Sequence, residues 1–164
     1  MAVFDDCEHR LIRFDDHSYR WIDLKRFAWD GRGNDPEVLA ALIASPRYRD
    51  TYLAPDSHQQ DAETVHGPYR VAEIAPSDFE GVAASVAEAT VGEFIGLCEP
   101  PPAPHVIREI ESVVLPKLRG AACYRLRRIA HAEHEWASVL WEFRELVAIS
   151  REAGEVALFV MAID

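Results

Sequence analysis

Lysine is almost missing from this chain: it occurs only at Lys25 and Lys117, and arginine supplies nearly all of the basic character. Against 28 acidic residues the 17 basic ones leave a formal net charge of -11, so the molecule as a whole repels polyphosphate and nucleic acid is not an expected partner. The one basic cluster, Arg125, Arg127 and Arg128, is small. Cysteine is scarce too. Cys7, Cys98 and Cys123 are an odd number with no CxxC or Cys/His spacing, which argues against a disulfide framework and for reduced thiols in a cytoplasmic protein. Long apolar runs are absent. The longest, Val156 to Ile163, is far too short to cross a bilayer, and "MAVFDDCEHR" has neither the basic start nor the apolar stretch of a signal peptide. A cytoplasmic protein away from membranes is expected.

Motifs for the common chemistries are missing as well. There is no GxSxG elbow and no cysteine beside a predicted histidine partner, and Cys98 follows a helix C-terminus, where the dipole raises a thiol's pKa. "GRGNDP" has neither the GK(S/T) of a P-loop nor a βαβ unit around it, so its glycines are turn formers. Carboxylate pairs occur at Asp5 and Asp6, Asp15 and Asp16, and Glu133 and Glu135, but acid–base catalysis needs them to converge in a pocket. No cofactor is expected, and the balance leans away from an enzyme.

What is present is the composition of a folded domain, with 49% hydrophobic and 27% charged residues in 164. A chain of that length buries roughly 70% of its unfolded surface, enough for one self-sufficient core. Leu11 to Phe14 and Tyr19 to Ile22 read as two strands around a polar turn at Asp15 to Ser18. "WDGRGNDP" is a loop ending in Asp35 as N-cap and Pro36 at the first helical position, leading into a helix to about Ala44 that faces Val38, Leu39, Leu42 and Ile43 inward. A short helix after Ser45-Pro46, a polar loop over 54–64 and a strand from Tyr69 to Ile74 follow.

Ser77 and Glu80 form a capping box for a long helix with Phe79, Val82, Ala83, Val86, Thr90, Phe94 and Leu97 on one face. "EPPPAP" ends it, and a third helix runs from Pro104 to about Leu115, stopped by Pro116. The last third alternates as strands, "ACYRLRRI" and then "ELVAISREAGEVALFVMAI", the latter a hairpin closed at Arg151 to Gly154 with Gly154 left-handed. Residues 131–143 fit either helix or strand, with strand favoured from Val139. The sum is a single α+β domain over 1–164: a mainly antiparallel sheet of about five or six strands, two or three helices packed on one face, and a C-terminal β-hairpin.

"HAEHEW", residues 131–136, is the one stretch that suggests a metal. His131, Glu133 and His134 carry suitable donor types for zinc, and on a helix the two imidazoles would share a face. On a strand they point apart, and the stretch is not HExxH. The remaining histidines, His9, His17, His58, His66 and His105, are scattered and offer no obvious further ligand. Tryptophan is the other notable residue, at Trp21, Trp29, Trp136 and Trp141. Trp141 is expected in the core, while Trp29, beside Asp30 in a loop, is the expected exposed anchor for a partner.

The whole-chain texture, and most of all the ending "FRELVAISREAGEVALFVMAID", resembles small bacterial immunity proteins of toxin systems. That resemblance implies an inhibitor that blocks a toxin enzyme, with acidic side chains in place of substrate phosphates where the toxin is a nuclease. It transfers no individual residue. The charge agrees with a basic protein partner, met by Asp15, Asp16, Trp29, Asp30 and Asp35. The alternative is a small enzyme or ligand-binding protein with a pocket between the sheet and the long helix, dependent on a metal at His131, Glu133 and His134. The oligomeric state is left open.

Overall fold

The structure is a computed structural model that describes residues 2–53, 64–97 and 99–164, with the side chains of Asp6 and Cys7 also outside the description. The loop expected at 54–64, apart from Thr64, His58 and Cys98 therefore lie outside the described residues. Six strands form one antiparallel sheet: β1 (Phe4–Arg13), β2 (Arg20–Trp29), β5 (Phe79–Val82), β6 (Ala122–Leu126), β7 (Glu142–Ser150) and β8 (Glu155–Ile163). Their order is β1-β2-β8-β7-β6-β5, so the C-terminal hairpin supplies the two central strands. A small hairpin, β3 (Val65–His66) and β4 (Tyr69–Arg70), turns at Gly67 and Pro68.

Both faces of the sheet are covered, and the strands say why. On β2, Trp21, Phe27 and Trp29 join one apolar cluster while Ile22 and Leu24 join the other; on β8, Val156, Leu158, Val160 and Ala162 oppose Ala157, Phe159, Met161 and Ile163. A strand apolar at every position needs cover on each side. Helix α1 (Asp35–Ala44) lies on the first face through Val38, Leu39, Leu42 and Ile43. Helices α2 (Ala84–Ile95) and α3 (Pro104–Glu109) pack on the second through Ala87, Val91, Phe94 and Val106. Two helices thus share one face, as expected, and α1 closes the other.

Several boundaries differ from expectation: the strand expected from Tyr69 to Ile74 gives way after Arg70 to a 3₁₀ turn at Val71–Glu73, and the strand expected from Val139 begins only at Glu142. The N-cap of α1 is Asn34, one residue early, because its carboxamide accepts from the Glu37 amide at 3.0 Å while Glu37 returns a bond to the Asn34 amide at 2.7 Å. The long helix begins at Ala84, not near Phe79. Phe79–Val82 is instead strand β5, paired with β6, and Glu80 meets Arg125 across the ladder at 2.5 Å instead of capping a helix. Asp78 closes a 3₁₀ turn at Pro76–Asp78, accepting from the Ala75 amide at 2.8 Å, and the long helix starts after Ala83 without a side-chain cap.

The start therefore shifts the buried face to Ala87, Thr90, Val91 and Phe94, leaving Val86 and Leu97 exposed. Pro116 does not end the third helix. A π-helical turn over Ile110–Val114 lies just before it, and α4 (Leu115–Leu118) carries the proline in its first turn, where no amide is needed. The β7–β8 turn has the form expected of it, with Gly154 at φ 60°.

Candidate binding face

The α1 face of the sheet contains charges where the alternation calls for apolar groups. Asp23 and Lys25 share the side of β2 occupied by Trp21 and Phe27, and Glu145 stands between Phe143 and Val147 on β7; all three charged residues are buried. Each is met by polar groups, most of them from other segments of the chain. Lys25 Nζ donates to the Tyr52 hydroxyl at 2.9 Å and to Asp50 at 3.4 Å, and lies 3.9 Å from Asp23. Asp23 also accepts from His9 Nε2 at 2.5 Å.

Glu145 accepts from the Tyr48 hydroxyl at 3.0 Å and sits 2.5 Å from His66 Nε2. His66 Nδ1 lies 2.5 Å from the Tyr48 carbonyl, so it must be the protonated donor there. The Tyr48 and His66 rings stack at 3.6 Å. Burial, reinforced by Glu145, pushes the Tyr48 phenol well above its usual range, and burial with Asp23 and Asp50 does the same to Tyr52. Both remain protonated donors.

Beside Glu145 opens a cavity of about 510 Å³, walled by Tyr69, Leu140, Trp141 and Phe143, with Glu133 and Glu142 also on its lining. A second, of about 530 Å³, shares Leu140 and is lined by Gly67, His134 and Trp136. The segment between them, from Glu133 to Trp141, is made of turns with a 3₁₀ piece at Ala137–Val139. It carries the most exposed tryptophans of the chain: Trp136 is 63% and Trp141 70% exposed, with Val139 at 49% between them.

The residues expected to meet a partner are placed differently. Trp29 is buried, only 5% exposed, its indole nitrogen donating to the Arg32 carbonyl at 3.0 Å and its ring lying under the Arg151 guanidinium. Neighbouring polarity made its loop look open, yet Trp29 is the last residue of β2 and takes the inward parity of Phe27. Trp141, expected in the core, is exposed because it precedes β7. Asp15 and Asp16 sit at the start of β2 and Asp30 and Asp35 past its end, roughly 30 Å apart along a ten-residue strand.

They do not form one patch. Asp16 is also occupied: burial opposes its ionisation, but hydrogen bonds from Ser18 and from the fully buried Arg20 hold its carboxyl below the usual range. Asp35 accepts from the Tyr124 hydroxyl at 2.5 Å, and with burial this pushes that phenol up to about 12. Asp35 also pairs with Arg151 at 2.6 Å. Asp15 and Asp30 remain at the surface.

The alternative metal site does not assemble. His131 lies on a 3₁₀ turn, Ala130–Ala132, and not on a helix. His134 has both ring nitrogens in use: Nδ1 accepts from the Trp136 amide at 3.1 Å, so Nε2 carries the proton and donates to the Gly67 carbonyl at 2.8 Å. Glu133 is held by Arg128, whose hydrogen bond lowers its pKa. Among the described residues no group of three His, Cys, Asp or Glu could hold a metal ion.

The basic cluster is likewise spoken for. Arg125 and Arg127 face Glu80, and Arg128 faces Glu133. Cys123 is a buried free thiol, raised by burial. No helix among the described residues is long and apolar enough to cross a membrane.

No family model matches the chain, and no curated protein does. Among solved structures, two crystal forms of citrus MAF1 are similar. That in space group C 2 2 21 has a TM-score of 0.41 at 13% identity, covering 91% of this chain and 92% of that one. That in P 31 2 1 has a TM-score of 0.38 at 14% identity, covering 91% and 93%. A likeness at these scores defines neither family nor function.

Proposed function

We propose that this chain is a non-enzymatic acidic binding protein that engages a basic protein partner through the segment from Glu133 to Trp141, in the manner of an immunity protein neutralising a toxin enzyme. The observation that carries this reading is the pair of indole rings, Trp136 and Trp141, held in solvent by a turn segment that also carries Glu133 and Glu135. Large aromatic rings with a charged rim are the usual anchors of protein interfaces, and a net charge of -11 steers a basic partner to them. Where the partner is a nuclease, the carboxylates occupy positions its substrate phosphates would take. A cytoplasmic site of action accords with the free thiol of Cys123.

The test compares the wild-type chain with the double variant Trp136→Ala, Trp141→Ala as bait in lysate of the source cells, with retained polypeptides identified and quantified by mass spectrometry. A stoichiometric basic polypeptide that binds the wild type and is lost about tenfold or more from the double variant supports the reading. Equal retention by both, or robust turnover of a small substrate by the purified chain, overturns it.

A further inference from the structure

The cavity beside Glu145 has a lining suited to one kind of guest. Its walls include three aromatic rings, those of Tyr69, Trp141 and Phe143, with Tyr69 and Phe143 edge to face at 6.0 Å. Its carboxylates, Glu133, Glu142 and Glu145, outnumber its one cation, Arg128, which Glu133 already holds through two guanidinium nitrogens at 2.8 and 3.4 Å. Glu142 is met by Arg144 at 2.9 Å. Glu145 is the innermost of the three. Its side chain has no exposed surface and is taken up by Tyr48 and His66, so the carboxylates open to a guest are Glu133 and Glu142, 30% and 31% exposed.

An anion would meet the oxygens of Glu133 and Glu142 at close range, and a purely apolar group would cover them without a compensating bond. A cation gains from both the rings and the carboxylates. Of the two basic side chains, arginine presents a planar fork that stacks on aromatic faces and meets carboxylates in two-point fashion, whereas an ammonium is more strongly hydrated. A volume of about 510 Å³ lies within the usual range of ligand sites.

We propose that the cavity formed by Tyr69, Trp141, Phe143 and Glu142 receives an arginine side chain of the basic partner. This rests on the reading of the chain as a binder of a basic protein, and names the contact that selects the partner.

The test titrates the intact chain with the blocked peptide Gly-Gly-Arg-Gly-Gly and with its citrulline counterpart, which keeps the shape and removes the charge, following backbone and indole signals by NMR. Saturable shifts at Tyr69, Trp141 and Phe143, about tenfold weaker with citrulline and about tenfold weaker in the variant Trp141→Ala, support the inference. Because Trp141 is exposed, that variant leaves the fold intact; Glu142→Gln serves as a second and is expected to weaken binding a few-fold. Equal binding of both peptides, saturable shifts confined to other residues, or no saturable shift up to about 10 mM overturns it. A basic partner that depends on Trp136 but is indifferent to Trp141→Ala and Glu142→Gln also overturns it, while leaving the wider reading in place.

Discussion

Glu145 and His66 meet at 2.5 Å with neither side chain exposed, although 79 residues separate them. The contact fastens the β3–β4 hairpin onto the central sheet, and Tyr48 is drawn into it from the segment after α1. A buried pair of this kind is expensive to halve, because removing one partner leaves the other without a proton acceptor or donor in the core. His66→Ala and Glu145→Ala are each expected to cost about 3–5 kcal/mol in urea unfolding, and the double variant much less than their sum. Tyr48→Phe should cost only about 1 kcal/mol. Additive single effects would mean that the pair contributes nothing as a unit.

The tryptophans divide by parity. Trp29 ends β2 on the α1 face and is buried, so Trp29→Ala should destabilise the fold by about 3–5 kcal/mol. Trp136→Ala and Trp141→Ala should each change stability by no more than about 0.5 kcal/mol while weakening partner capture. Thermal melting of the three single variants checks the contrast, and a large loss of stability from either exposed tryptophan would contradict it.

The architecture was legible because the strands declare themselves: the C-terminal hairpin, its Gly154 turn and the first hairpin all follow from alternation and turn chemistry. The covering of the second face went unread, since helices were expected on one face only, although the unbroken apolar run "VALFVMAI" is one that no one-sided strand tolerates. Two further features were not legible. "FEGV" suits either the first turn of an amphipathic helix or a short edge strand, and only pairing with β6 decides it. The polar cluster on the α1 face was missed because its members, His9, Asp23, Lys25, Tyr48, His66 and Glu145, come from distant segments with no motif spacing. One signal did exist. Glu145 interrupts the inward parity set by Phe143 and Val147, and a charge at a core position of a strand demands a partner from elsewhere in the chain.

Acid should weaken the fold through Glu155, at the edge of the β7–β8 turn. Burial works against its ionisation, but hydrogen bonds from Arg26 at 2.6 Å and Lys117 at 2.8 Å hold its pKa below the ordinary 4.5. The folded pKa is thus the lower one, so the unfolded chain binds more protons in this interval. The stabilisation is complete above about pH 4.5 and is lost as pH falls through the folded value. Urea midpoints of the wild type and Glu155→Gln should therefore differ most at neutral pH and converge on acidification. A gap that widens toward acid would reverse the assigned sign.

Gly67 links the hairpin turn to the proposed arginine cavity. Its φ is 52°, in the left-handed region, and a Cβ added there would lie 2.3 Å from the Phe143 ring. Alanine therefore meets two costs, a backbone angle that costs an L-residue about 1–2 kcal/mol and an aromatic ring that must move. Phe143 also contacts Tyr52, His66 and Tyr69, so its displacement is resisted on three sides and falls toward the cavity it lines. Gly67→Ala is expected to cost about 2–4 kcal/mol and to abolish the arginine-peptide shifts at Tyr69 and Trp141. The double variant Gly67→Ala, Phe143→Leu separates the two costs: the smaller side chain should recover part of the stability by relieving the collision, but not the peptide binding, which needs the ring. Recovery of binding without the ring would show that Phe143 fills space beside the cavity and takes no part in holding a guest.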